Sequence, residues 1–137
     1  MDIARIDEPR HPLTPYELIG GEDVVRTLVD RFYDLMDDDP DYFGIRKLHA
    51  SSLEGSREKL FMFLTGWLGG PPLYEQAYGH PRLRARHMHV AIGIAERDQW
   101  MACMTHAMAD AGVDPGLRAR LVASFMKTAD FMRNREG

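Results

Sequence analysis

Residues 79–100 read GHPRLRARHMHVAIGIAERDQW. A short segment studded with arginines ends at His87, and Trp100 follows thirteen positions later near the start of an amphipathic run. A histidine closing a short helix can offer one ring nitrogen to a metal while the backbone holds the other. An indole can only donate a hydrogen bond, and when buried it usually finds a partner. The pair points to a cofactor seated between a metal ligand on one side and a hydrogen-bond donor on the other.

Apolar residues recur with helical period on both sides of this stretch. Glu96 to about Ala111 places Trp100, Cys103, Met104, Ala107, Met108 and Ala111 on one face. Asp114-Pro115 then opens a last helix with the face Leu117, Leu121, Phe125, Thr128 and Met132. Toward the N-terminus, residues 88–94 form a connection, Arg82 to His87 a short helix, and Leu73 to Arg82 a loop punctuated by Gly79 and Pro81. Gly69-Gly70-Pro71-Pro72 stops a helix running to about Leu68, which starts behind the capping-box pattern Ser51-Ser52-Leu53-Glu54. Its stripe is Ser56, Leu60, Phe63, Leu64 and Trp67. Tyr42 to Ala50 is a corner of about one helical turn. Glu22 to Asp37 carries Val24, Val25, Leu28, Val29, Phe32, Leu35 and Met36 on one face, and the acidic run Asp37 to Asp41 behind it reads as solvated surface. Thr14-Pro15 opens a short helix that Gly20-Gly21 ends. Residues 1–13 read as a flexible extension before a domain over 14–137. No segment alternates with period two, so the expected fold class is all-α, with four main helices and short accessories.

Composition narrows the function. A chain of 137 residues is most simply one domain, able to bury roughly two-thirds of its unfolded surface. The net charge of −4 argues against nucleic acid as the main partner. A single cysteine, Cys103, forbids an intrachain disulfide and fits a reducing compartment. No apolar run approaches the ~20 residues of a membrane span. With acids and prolines early in the chain, the expectation is a cytoplasmic protein.

Six histidines invite a metal reading, but scattered histidines and one cysteine do not supply the four close ligands of a structural zinc site. Cys103 sits on an apolar face, where a free thiol is usually an inert core residue, which argues against a Cys-His nucleophile with His106. A haem site needs one strong axial ligand, a flat apolar slot and cations near the propionates. His87 supplies the first, Leu60, Phe63, Leu64 and Trp67 the second, and Lys59, Arg84 and Arg86 the third. Alone, the apolar stripe reads equally as ordinary core.

The motifs YELIGG at 16–21, DRFYDLM at 30–36, LEGSREKLFMFLTGWLGGPPLY at 53–74, GHPRLRARH at 79–87 and ERDQW at 96–100 resemble those of truncated, two-over-two haemoglobins of the second group. The resemblance runs from about Thr14 to Arg133 and implies a truncated globin, a two-over-two helical sandwich around haem b (iron protoporphyrin IX). It implies that His87 is the proximal iron ligand, with His89 off the motif. Tyr33 and Trp100 are then distal-pocket residues, and His49 stands where the corner meets the pocket. Ser56 falls where larger globins carry a distal histidine. Lys59 and Arg86 match positions facing the propionates, with Tyr74 a further candidate for that task.

A free sixth position at the iron would take oxygen, CO or NO. Donors at Trp100 and Tyr33, with His49 adding a third bond, would slow oxygen release more than they speed binding. The expected function is thus a high-affinity, slow-releasing gas binder with five-coordinate iron. The alternative is a nitric-oxide dioxygenase or peroxidase, which would depend on an external reductase. A haem-free helical interaction protein is the third class, and composition alone supports it. Either a monomer or a homodimer is compatible with the sequence.

Overall fold

The structure, a computed structural model, describes residues 12–137. The expected extension therefore lies outside the described residues except for Pro12 and Leu13. Eight α-helices follow: α1 Pro15–Ile19, α2 Glu22–Asp38, α3 Phe43–Arg46, α4 Glu54–Trp67, α5 Leu73–Tyr78, α6 Leu83–His87, α7 Ile94–Asp110 and α8 Pro115–Phe131. No strand occurs among the described residues. The long helices are α2, α4, α7 and α8. Helix α2 packs on both α4 and α7, and α8 packs on α7, giving two helix pairs joined through α2.

Local chemistry sets the ends. Thr14 Oγ1 accepts the Glu17 N–H at 3.1 Å while Glu17 Oε1 accepts the Thr14 N–H at 3.0 Å, and Pro15 fills the first position of α1. Gly20 ends α1 at φ 120°, and a Cβ there would lie 2.7 Å from Val24 Cγ2, so only glycine makes this turn. Asp114 Oδ2 caps α8 by accepting the Leu117 N–H at 3.1 Å. Helix α7 starts two residues earlier than Glu96 because Glu96 Oε1 reaches back to the Gly93 N–H at 2.7 Å.

Three expectations are corrected. The Ser51–Glu54 capping box does not form, and Leu53 is the N-cap of α4. Leu53 is drawn into the core and the Ser51 carbonyl is taken by Arg46 Nη2 at 2.8 Å, so helix cannot begin at Ser52. Residues 73–78 are helix rather than loop: Pro72 and Gly79 delimit six residues, too few for a periodic signal to show. The acidic run is more than solvated surface. Asp39 Oδ1 caps the 3₁₀ turn Pro40–Tyr42 through the Asp41 N–H at 2.9 Å, and Asp37 pairs with Arg46 at 2.8 Å.

The core gathers seven α2 residues from Val25 to Met36, with Phe61 and Leu64 of α4, Cys103, Met104, Ala107 and Met108 of α7, and Leu117, Leu121 and Phe125 of α8. Cys103 Sγ donates to the Phe32 carbonyl at 3.3 Å, and burial pushes its thiol pKa up to about 12. The imidazole of His106 faces Tyr42 (Nδ1 to hydroxyl 3.2 Å) and Asp110 instead, so the two are not a nucleophilic pair. A thiol reagent at pH 8 is therefore expected to label nothing on the folded chain within minutes and one thiol per chain in denaturant. Rapid labelling of the folded protein, read by absorbance, would show that Cys103 is accessible.

Candidate functional site

Helix α4 has two apolar sides. Phe61, Leu64 and the buried Thr65, whose hydroxyl donates to the Phe61 carbonyl at 2.8 Å, turn to the core. Ser56, Leu60, Phe63 and Trp67 line a cavity of about 650 Å³, a size proper to a small-molecule or cofactor site. Tyr33 of α2, His49 of the corner, Lys59 of α4, Tyr74 of α5, Arg86 and His87 of α6 and Trp100 of α7 line the same cavity. Eleven of the residues singled out in the sequence, and Leu64 with them, therefore converge on one space. Arg84 does not line it: its guanidinium donates to the Arg133 carbonyl at 3.3 Å.

His87 ends a five-residue helix, and its Nδ1 lies 2.7 Å from the Leu83 carbonyl. A carbonyl only accepts, so Nδ1 carries the proton and Nε2 keeps its lone pair for a metal. His89 also borders the cavity, but among the described residues no such carbonyl bond fixes its ring. His49 repeats the arrangement, Nδ1 donating to the Ile45 carbonyl at 2.8 Å. Burial lowers the pKa of His49 against the opposing bond to the Ile45 carbonyl, and the Arg46 charge lowers it further, so the neutral ring predominates at pH 7. Its Nε2 is then an acceptor. The third donated bond expected at His49 is thus not available from the neutral ring.

Two other side chains on the cavity carry a hydrogen-bond donor, Tyr33 and Trp100. Tyr33 is 5% exposed, with its ring edge-on to Phe32 at 5.0 Å and to His49 at 5.8 Å. Burial raises its pKa, which keeps the hydroxyl protonated. Trp100 packs against Phe32 at 5.4 Å and Phe125 at 5.6 Å between ring centroids. Neither the Tyr33 hydroxyl nor the Trp100 indole N–H bonds to a described residue, and no buried side-chain N or O among the described residues lacks a partner. Both polar atoms therefore reach the open space of the cavity.

Cations mark the rim. Lys59 Nζ lies 5.6 Å from the Tyr78 ring centre and the Arg86 guanidinium 5.9 Å from that of Tyr74, so α5 steadies both. Sequence reading missed α5, and with it Tyr78. It also missed Phe125 as a cavity wall: the ring stacks on Trp67 at 4.6 Å and 9°. Phe125, Thr128 and Met132 share one α8 face, which had signalled core only. Two anchors of the His49 corner carried no sequence signal. Arg46 bonds Asp37 and the carbonyls of Ala50 and Ser51, and Gln99 Oε1 accepts the Ile45 N–H at 3.1 Å.

A largely apolar cavity, one imidazole with a free lone pair and two cations at its border fit an iron porphyrin and its propionates. Comparison with known proteins agrees with that chemistry. A profile of the bacterial-like globin family matches residues 14–134. Group 2 truncated hemoglobin YjbI of Bacillus subtilis is 39% identical over 120 residues, 88% of each chain. The group II 2-on-2 hemoglobin of Agrobacterium tumefaciens superposes with a TM-score of 0.88 at 41% identity, covering 95% of this chain and 100% of that one. The truncated oxygen-avid haemoglobin of Bacillus subtilis superposes with a TM-score of 0.82 at 38% identity, covering 89% and 100%. With its four long helices in two pairs around a porphyrin-sized cavity, this chain belongs to the truncated, two-on-two haemoglobins of the second group, haem proteins that bind small gases.

Proposed function

We propose that the chain holds haem b through His87 Nε2 and binds oxygen tightly, releasing it slowly. Haem, when bound, would supply an iron able to take up a diatomic gas. The carrying observation is the pair of cavity-facing donors, Tyr33 O–H and Trp100 N–H, which have no partner among the described residues. Both can donate to one polarised ligand in a largely dry site, where such bonds stabilise most. Lys59 and Arg86 hold the propionates, and the α4 wall of Leu60, Phe63 and Trp67 excludes water from the ring. The oxygen-avid description of the Bacillus subtilis relative supports the same reading.

Stopped-flow release of oxygen from the reduced haem-loaded protein tests this. Slow release is expected, and release as fast as from a pocket without donors overturns it. The same donors can serve nitric-oxide dioxygenation or peroxidase chemistry, with an external reductase restoring ferrous iron. Nitrate formed over many turnovers in the presence of a reductase system would favour that use. A single stoichiometric turnover would favour storage, scavenging or sensing.

A further inference from the structure

Helix α6 carries His87 yet buries none of its own side chains, and five residues are too few to hold a helix in water. Something outside α6 must fix the imidazole. The segment after α8 does so by lying along residues 84–93. The Asn134 amide donates from Nδ2 to the His87 carbonyl at 3.2 Å and to the Val90 carbonyl at 2.8 Å. Its Oδ1 accepts the Ile92 N–H at 2.9 Å, and its backbone N–H donates to the Ile92 carbonyl at 2.8 Å. One side chain thus uses its donor and acceptor ends on three residues of the loop that His87 begins. Two neighbouring contacts extend the seam. The Arg133 carbonyl accepts from Arg84, and a Cβ on Gly93 would sit 2.7 Å from the Gly137 carbonyl oxygen, so Gly93 has no room for a side chain while the segment is docked.

We propose that Asn134 is a positioning residue for the proximal histidine, and that the segment 133–137 acts through it as a strap setting the orientation and hold of the His87 ring. This rests on His87 being the iron ligand. The His87 carbonyl takes both the Val90 N–H at 3.0 Å and the Asn134 amide, so its peptide plane is fixed from two sides. That plane continues directly into the Cα that bears the imidazole, whose Nδ1 is tied to Leu83. Removing the amide leaves the peptide plane held from one side only, by the Val90 N–H, and the ring aimed by its single bond to Leu83. The strap lies apart from the main core, so its loss should change the ligand more than the fold.

Two variants separate its functions. Asn134→Ala removes every side-chain bond. Asn134→Asp keeps an acceptor for the Ile92 N–H but takes the side-chain donor away from the Val90 carbonyl and leaves the His87 carbonyl with the Val90 N–H alone. With the haem-loaded protein, both are expected to release hemin to an acceptor apoglobin about tenfold faster (~1.4 kcal/mol). Both are also expected to shift or broaden the iron–histidine stretching band in resonance Raman spectra of the ferrous form. Thermal unfolding of the apoprotein should stay close to that of the parent chain. Amide hydrogen exchange at residues 87–93 should rise in both variants with or without haem. Faster exchange with an unchanged stretching band and hemin release would overturn the proposal, since the strap would then hold the loop without positioning the ligand. Unchanged exchange would overturn it too. A chain that takes up no hemin at all would instead defeat the haem reading, while the exchange data would still report on the strap.

Discussion

Replacing His87 by glycine is expected to give a folded but nearly colourless protein whose haem bands return when free imidazole is added. The physical case is local. His87 Nε2 is left with its lone pair because Nδ1–H is committed to the Leu83 carbonyl. His89, the other imidazole on this wall, has among the described residues no equivalent bond to hold its ring. Helix α6 contributes nothing buried to the core, so removing the ring costs roughly 1 kcal/mol for the lost neutral hydrogen bond and little else. Circular dichroism should therefore match the parent chain while the absorption spectrum does not. Added imidazole can diffuse into the space left by the side chain and supply the missing nitrogen. If the variant keeps parent-like absorption bands and hemin affinity without imidazole, the ligand assignment fails.

The second large effect concerns release. Tyr33→Phe and Trp100→Phe are each expected to speed oxygen dissociation by about 10- to 100-fold, since each removes a hydrogen bond to a charged acceptor worth ~1.5–3 kcal/mol. Association rates should change far less, because the donors act on a ligand already in place. Tyr33→Phe is the cleaner probe: it keeps the ring that packs on Phe32 and deletes only the hydroxyl. Trp100→Phe also loses ring area against Phe125, so its thermal stability should be measured alongside. The two donors share one small acceptor, so the double variant is expected to fall short of the summed single effects, and a double-mutant cycle measures the shortfall. Parent-like dissociation in both single variants would remove Tyr33 and Trp100 from the ligand's surroundings.

Much of the fold was legible because its long helices are amphipathic and cleanly punctuated. Glu22 to Asp38 ends within one residue of its sequence expectation, and the last helix starts at Pro115 as expected, since acids, prolines and cap residues mark these positions. Short elements escaped. Helix α5 spans six residues with none buried, so neither period nor composition distinguishes it from a loop. The Ser51–Glu54 pattern misled because a cap depends on what else competes for the backbone: Arg46 already holds the Ser51 carbonyl, and the core draws in Leu53. The motif spacing pointed to every residue it named on the cavity, but not to Phe125, Arg46, Gln99 or Asn134. Phe125, Gln99 and Asn134 act through contacts between residues far apart in the chain, such as Asn134 with His87 forty-seven positions away, while Arg46 acts through the local shape of an irregular corner.

The chain's own order of residues settled the four long helices, because helical period and caps are local properties. It could not settle what each polar group does. That the imidazole at 49 accepts rather than donates follows from a backbone carbonyl, its burial and the charges around it, and that the proximal loop is strapped follows from a distant asparagine. Protonation state and orientation depend on neighbours in space, and only the packed structure supplies them.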